Sequence, residues 1–238
     1  MLHARNKERA REAQEAVQGA RAVLVGDLSS IAETRALADQ AGRAGPFDAV
    51  IHNAGVGFRD GRVETADGLS RVFAVNVLAP YLLTALVPAP RLVYLTSGMQ
   101  RGGDPDLSDL QWRRHTWNGS KAYSDSKLFD VVLAFAVARR WPKVRSNAVE
   151  PGWVPTRMGG PGAPDDLEEG AETQVWLSVG DDPGANVSGR CFFHRRQRSA
   201  HPAASDPAVQ DGLLCACEKL SGVALPEEPP AQGPRAAR

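Results

Sequence analysis

The chain alternates between short apolar runs and longer stretches in which apolar positions recur every three or four residues. Ala22 to Val25, Phe47 to His52, Arg91 to Thr96, Val144 to Val149 and Arg190 to Phe193 are the short runs, and glycine, proline or asparagine flanks each of them. Runs of that length and punctuation predict buried strands. The longer periodic stretches predict helices over 7–18, 30–42, 69–86, a segment carrying Tyr123 that ends before Pro142, 168–177 and 207–220. Asn6 is placed to cap the first helix, and Ser30 with Glu33 forms a capping box for the second. Strands separated by helices imply right-handed crossovers, hence an α/β fold with a doubly wound parallel sheet. The pattern contains no internal repeat. From about Leu225 the chain is Pro, Glu, Ala and Arg, which predicts one domain over 1–224 and a disordered tail over 225–238.

Composition narrows the classes. At 238 residues, 42% hydrophobic and 24% charged, the chain suits one globular domain with a sizeable core. Its 28 Lys and Arg balance 28 Asp and Glu, so no bulk field recruits nucleic acid or an anionic membrane. The apolar runs are far shorter than the ~20 residues of a membrane span, and Met1-Leu2-His3-Ala4-Arg5 lacks the apolar region of a signal peptide. Three cysteines without paired spacing predict reduced thiols, a cytoplasmic location and no metal site.

The chemistry concentrates at Tyr123-Ser-Asp-Ser-Lys127. Four residues apart on a helix, the two side chains leave one face with Cβ atoms ~5–6 Å apart. An ammonium beside a phenol favours the phenolate, which suits a proton exchanged with an alcohol or carbonyl. Alone, that spacing also fits an ordinary surface pair. Other elements fall where open α/β sheets bind ligands, just past the C-terminal ends of strands. Asn53-Ala54-Gly55 ends one strand and Thr96-Ser97-Gly98 the next, while Pro151-Gly152 and Thr156 follow a third. Asn76 sits inside a helix, an awkward place for its amide.

Taken in order, Asp27-Leu28-Ser29-Ser30, Asn53-Ala54-Gly55, Asn76, Ser97, Tyr123 with Lys127, and Pro151-Gly152 with Thr156 resemble the short-chain dehydrogenase/reductase family. The stretch from Asp109-Leu110 and Trp112 to Leu128 is similar to its retinol-dehydrogenase-like and bacterial ketoreductase-like branch. The resemblance implies a Rossmann-like fold and NAD(P)-dependent interconversion of an alcohol and a carbonyl on a small molecule. It implies Tyr123 as general acid/base, Lys127 as its electrostatic partner and ribose contact, and Ser97 as donor to the substrate oxygen. Asn76 would hold the helix irregularity and water of a proton relay. Cofactor contacts would come from Arg5, Asp27, Leu28, Asn53, Ala54, Gly55, Tyr123, Lys127, Pro151, Gly152 and Thr156. Arg5 suits a 2′-phosphate and favours NADP over NAD. Family analogy suggests a monomer or homodimer.

One part of the family pattern has no counterpart. The glycine-rich strand-to-helix turn that cradles a pyrophosphate is missing, and Met1 to Asn6 resembles the end of the second strand. Gly55-Val56-Gly57 with Gly61, and Gly159-Gly160-Pro161-Gly162, read as loops. The expectation is therefore an N-terminally truncated domain, preceded in the natural protein by a βα unit of roughly 30 residues. In that fold order, a missing central strand leaves a gap of ~9–10 Å that hydrogen bonds cannot bridge unless the first two strands re-dock. If the chain is whole, cofactor affinity is impaired. The rival reading is then a catalytically silent relative acting as a nucleotide-sensing or interaction protein.

Overall fold

Short polar side chains set the helix starts by accepting from first-turn amides that have no intrahelical partner. In the computed structural model, which describes residues 1–231, Asn6 accepts from Arg9 N to start α1 (Lys7–Ala16), and Ser30 accepts from Glu33 N to start α2 (Ile31–Ala44). The Ser30–Glu33 box is only half formed. Glu33 bonds the Asp27 amide at 2.8 Å, because the Ser30 amide is already spent on the Asp27 carbonyl. The helix expected over 69–86 is α3 (Arg71–Phe73), a π-helical turn (Ala74–Leu78) and α4 (Ala79–Leu86). Asn118, Asp166 and Asp206 then cap α5 (Gly119–Arg140), α6 (Leu167–Val179) and α7 (Pro207–Ser221).

The strands are β1 (Leu2–Ala4), β2 (Val23–Val25), β3 (Val50–His52), β4 (Arg91–Leu95), β5 (Arg145–Glu150), β6 (Cys191–Phe193) and β7 (Arg196–Arg198). β3, β4, β5 and β6 form a parallel sheet in that order, and β7 joins antiparallel to β6. β1 and β2 pair with each other in parallel as a separate two-stranded sheet. Among the described residues no ladder joins that pair to β3, so the re-docking that would have made one sheet does not occur.

Apolar packing of α2 connects the two pieces. Leu37 shares a cluster with Leu24 of β2 and with Val75 and Ala79, while Ala38 and Ala41 pack with Val50 of β3 and Val87. The main core lies between the β3–β7 sheet and α4, α5 and α7, centred on Tyr81, Tyr94, Leu128, Leu133 and Leu213.

Two expectations needed correcting. The β6–β7 hairpin turns through His194 and Arg195, both left-handed at φ 46° and 58°. A two-residue hairpin turn of that kind ordinarily carries Asn-Gly, so His-Arg gave no signal for it. The tail does not begin at 225: Leu225 is buried, and Trp141 Nε1 donates to the Pro226 carbonyl at 2.9 Å. The rest of the expected tail, 232–238, lies outside the described residues. All three cysteines are free thiols, and no described helix is long and apolar enough to cross a membrane.

Candidate active site

Tyr123 and Lys127 lie one turn apart on α5, which packs along β4 and β5 with the Lys127 turn at the C-terminal end of β4. Their side chains part company. The Tyr123 ring lies buried beneath the exposed side chains of Met158, whose Sδ is 3.9 Å from its hydroxyl, and Phe58, which tilts against it at 5.5 Å between centroids. Lys127 turns inward, its ammonium 5.8 Å from the Tyr123 ring centre. That ammonium donates to the Leu95 carbonyl and to Asp130 Oδ2, each at 2.8 Å. Burial pushes the Lys127 pKa down, but the neighbouring Asp130 and Tyr123 outweigh it and hold the value above that of an ordinary lysine. Burial lifts the Asp130 carboxyl to about 6, with Lys127 opposing the rise. At neutral pH the two are a buried ion pair.

Asn76 falls in the middle of the π-helical turn, an irregularity that recurs at functional sites. Its side chain is saturated. Oδ1 accepts from Val56 N at 2.8 Å, and Nδ2 donates to the Val56 carbonyl and Ser126 Oγ. This ties the loop after β3 to α5. Gly55 completes the junction: a Cβ there would stand 3.4 Å from Asn76 Oδ1 and 3.6 Å from Lys127 Nζ. Thr96 Oγ1 donates to the Lys127 carbonyl at 2.6 Å, fixing the end of β4 against the same helix turn. Ser97 follows, half-buried, its Oγ accepting from Met99 N.

The structure thus gathers Gly55, Asn76, Tyr123 and Lys127, with Ser97 on the strand end bonded to them. After β5, Gly152 is left-handed (φ 91°), and a Cβ would lie 2.6 Å from Asp165 Oδ2. Pro151 is half-buried, and Thr156 caps its own loop by accepting from Gly159 N. Asn53 is exposed and Ala54 half-buried. Arg5, Asp27 and Leu28 belong to the β1–β2 part instead, Arg5 exposed, Asp27 half-buried and Leu28 buried. Among the described residues, the ion pair that reaches across from the post-β5 loop is Arg157, 4.0 Å from Glu12 of α1.

A nicotinamide group fits the gathered end, where a bare Gly55 backbone lies beside an amide and an ammonium. No glycine-rich turn precedes a helix for its diphosphate, and α1 begins on its own Asn6 cap. Sequence reasoning missed Asp130, Phe58 and Met158. A lone acid in the apolar run Leu128-Phe129-Asp130-Val131-Val132, three residues after Lys127, was the available signal for the first. The other two carried none.

Comparison with known proteins agrees with this arrangement. Residues 1–180 match the family profile described as Enoyl-(Acyl carrier protein) reductase. The chain is 47% identical to an uncharacterized oxidoreductase of Emericella nidulans, over 95% of this chain and 88% of the other. It is 40% identical to a short-chain dehydrogenase of Gibberella zeae, over 94% and 88%. The fold superposes on an uncharacterized Mycobacterium paratuberculosis protein with a TM-score of 0.77 at 23% identity, covering 94% of this chain and 84% of that one. With a tyrosine and lysine paired on the helix that packs against β4 and β5, the chain belongs to the short-chain dehydrogenase/reductase family of oxidoreductases.

Proposed function

We propose that the protein interconverts an alcohol and a carbonyl on a small molecule, with NADP(H) as the preferred cofactor and Tyr123 as the general acid/base. The observation that supports this most directly is the pairing on α5: a phenol and, one turn on, an ammonium 5.8 Å from its ring, both buried. When bound, the cofactor supplies or accepts the hydride. In reduction Tyr123 Oη gives its proton to the substrate oxygen, and in oxidation it takes that proton back. Lys127 sets its ammonium beside the Tyr123 ring and would hold the nicotinamide ribose beside Gly55.

Ser97 would steady the same oxygen by donating a hydrogen bond where charge develops. Asn76 keeps the loop after β3 against α5 and so fixes the floor on which Asn53, Ala54 and Gly55 meet the cofactor. Pro151, Gly152 and Thr156 would meet the nicotinamide carboxamide or phosphate, with Asp27 and Leu28 near the adenine. Arg5, exposed at the end of β1, favours the 2′-phosphate of NADP(H).

The test is carbonyl reduction with NADPH across a ketone panel, by the wild type and by Tyr123→Phe. Losing the hydroxyl should lower kcat by roughly 10²–10⁴-fold while NADPH binding and thermal stability are retained. A variant with full activity would remove Tyr123 from the chemistry. Absence of NADPH quenching of tryptophan fluorescence in both proteins would favour a silent relative.

A further inference from the structure

The surface around the Tyr123 hydroxyl is apolar beyond what packing requires. Phe58, Met158 and Trp153 are 41%, 42% and 59% exposed. They form one rim: Phe58 lies on the Tyr123 ring, Met158 on its hydroxyl, and Trp153 Nε1 donates to the Gly159 carbonyl beside Met158. Contiguous exposed apolar surface of this kind marks binding sites. The rim is also held in place. A Cβ on Gly119 would stand 2.5 Å from the Phe58 carbonyl oxygen, and one on Gly159 would stand 2.1 Å from that of Val154. Trp153 N is anchored to Asp165 Oδ2 at 2.5 Å. The Phe58 and Val154 backbones are therefore closely packed and Trp153 is tethered at its backbone amide and its indole, whereas Met158 has a flexible unbranched side chain.

What Met158 presents to Tyr123 identifies the ligand. Its sulfur is a weak acceptor flanked by two carbons, placed against the phenol hydroxyl, with its Cγ packed 3.3 Å from where a Gly57 Cβ would be. A substrate's carbonyl oxygen would replace that sulfur as the acceptor of the phenol hydroxyl. We propose that Met158 occupies the substrate's place, and that the substrate class is an apolar carbonyl compound or its alcohol, a ketone carrying an aryl ring that lies against Phe58 once Met158 swings aside. A polyol or charged carbonyl would lose hydration at these side chains without gaining polar partners there. This inference rests on Tyr123 as the group that exchanges a proton with the substrate.

The full chain labelled at methionine methyl groups tests it. Only Met1, Met99 and Met158 contribute signals, and Met158→Leu assigns the relevant one. Titration with 2-tetralone should shift the Met158 signal saturably and leave Met1 unmoved, while dihydroxyacetone at the same concentration should do neither. Phe58→Ala should weaken the 2-tetralone response about tenfold, the loss of one aromatic contact. An unmoved Met158 signal, or an equal response to dihydroxyacetone, overturns the proposal. The readout needs no turnover, so the two readings can fail separately. Binding of 2-tetralone at Met158 without NADPH-dependent reduction sinks the proposed reaction. Reduction of polar carbonyls with Met158 unmoved sinks the substrate class.

Discussion

The β1–β2 pair and the β3–β7 sheet are built from the same kind of parallel ladder, yet they bury very different shares of themselves. No residue of α1 is buried, and β1 and β2 contribute Ala4 alone to the buried core. In β4 and β5 every residue after the first is buried, and α5 buries most of its length. The gathered site follows that division. Asn76, Ser97, Tyr123 and Lys127 hang on the densely packed part, while Arg5 and Asp27 hang on the thin one. Under the proposed reaction the acid/base group would need to be held within fractions of an ångström, whereas a contact to a cofactor's far end would tolerate more play. Local stability in proteins is uneven in this way, and segments that must adapt are drawn from its low end.

The sharpest test of the contrast is a matched pair of truncations. Asp130→Ala leaves the Lys127 ammonium buried without its carboxylate, which should cost about 3–5 kcal/mol in denaturant unfolding. Glu12→Ala removes the partner of Arg9 on the exposed α1 and should cost under about 1 kcal/mol. Equal losses would mean that the two regions unfold as one and that burial does not separate them.

Acid should reverse the ranking. His52 of β3 is stacked on Tyr94 at 4.6 Å and lies 3.2 Å from Thr84 Oγ1, and burial drags its pKa from 6.5 down to about 3. The unfolded chain therefore takes up the proton first. The stability contributed by neutral His52 is complete above pH 6.5 and drains away as pH falls toward 3, by about 1.4 kcal/mol per pH unit. Asp130, raised to about 6, works in the opposite direction: it binds its proton in the folded state before the unfolded chain does, offsetting part of the loss between about pH 6 and 4. The stability difference between His52→Phe and the wild type isolates the histidine, because Asp130 contributes equally to both. That difference should move in the variant's favour as pH drops from 6.5 to 4. A difference that stays flat across the window would show that His52 is not buried as a neutral ring.

Much of this division was legible before any coordinates. Periodicity located six helical stretches and five strands, since each has its own run of apolar spacing. The split of the sheet was foreseeable from the absent glycine-rich turn, because the strands on either side of it had no partner to share. The β6–β7 hairpin was hidden because left-handed His194 and Arg195 are held by context rather than by residue preference. Asp130 carried a signal, a lone acid in an apolar run three residues after Lys127, but Met158 was hidden because laying it on Tyr123 depends on side-chain direction, which spacing along a chain does not encode. The tail was misjudged because composition says nothing of a single Leu225 that finds a pocket.

The smallest expected effect bears on the element that joins the two regions. Ser30 caps α2 through Glu33 N, and α2 carries Leu37 against β2 and Ala41 against the cluster that includes β3. Ser30→Ala should cost about 1 kcal/mol, the usual worth of such a cap. Its distribution matters more than its size. If α2 is the main tie, native-state hydrogen exchange should speed up at the β1 and β2 amides and at the first turns of α2, while β4 and β5 keep the protection of global unfolding. Acceleration spread evenly to Leu92–Leu95 and Ser146–Val149 would mean that the β1–β2 pair and the main sheet open together. The contrast in burial would then have no counterpart in motion, because a helix that merely sits on both regions moves neither alone, whereas one that links them lets the thinner part loosen first.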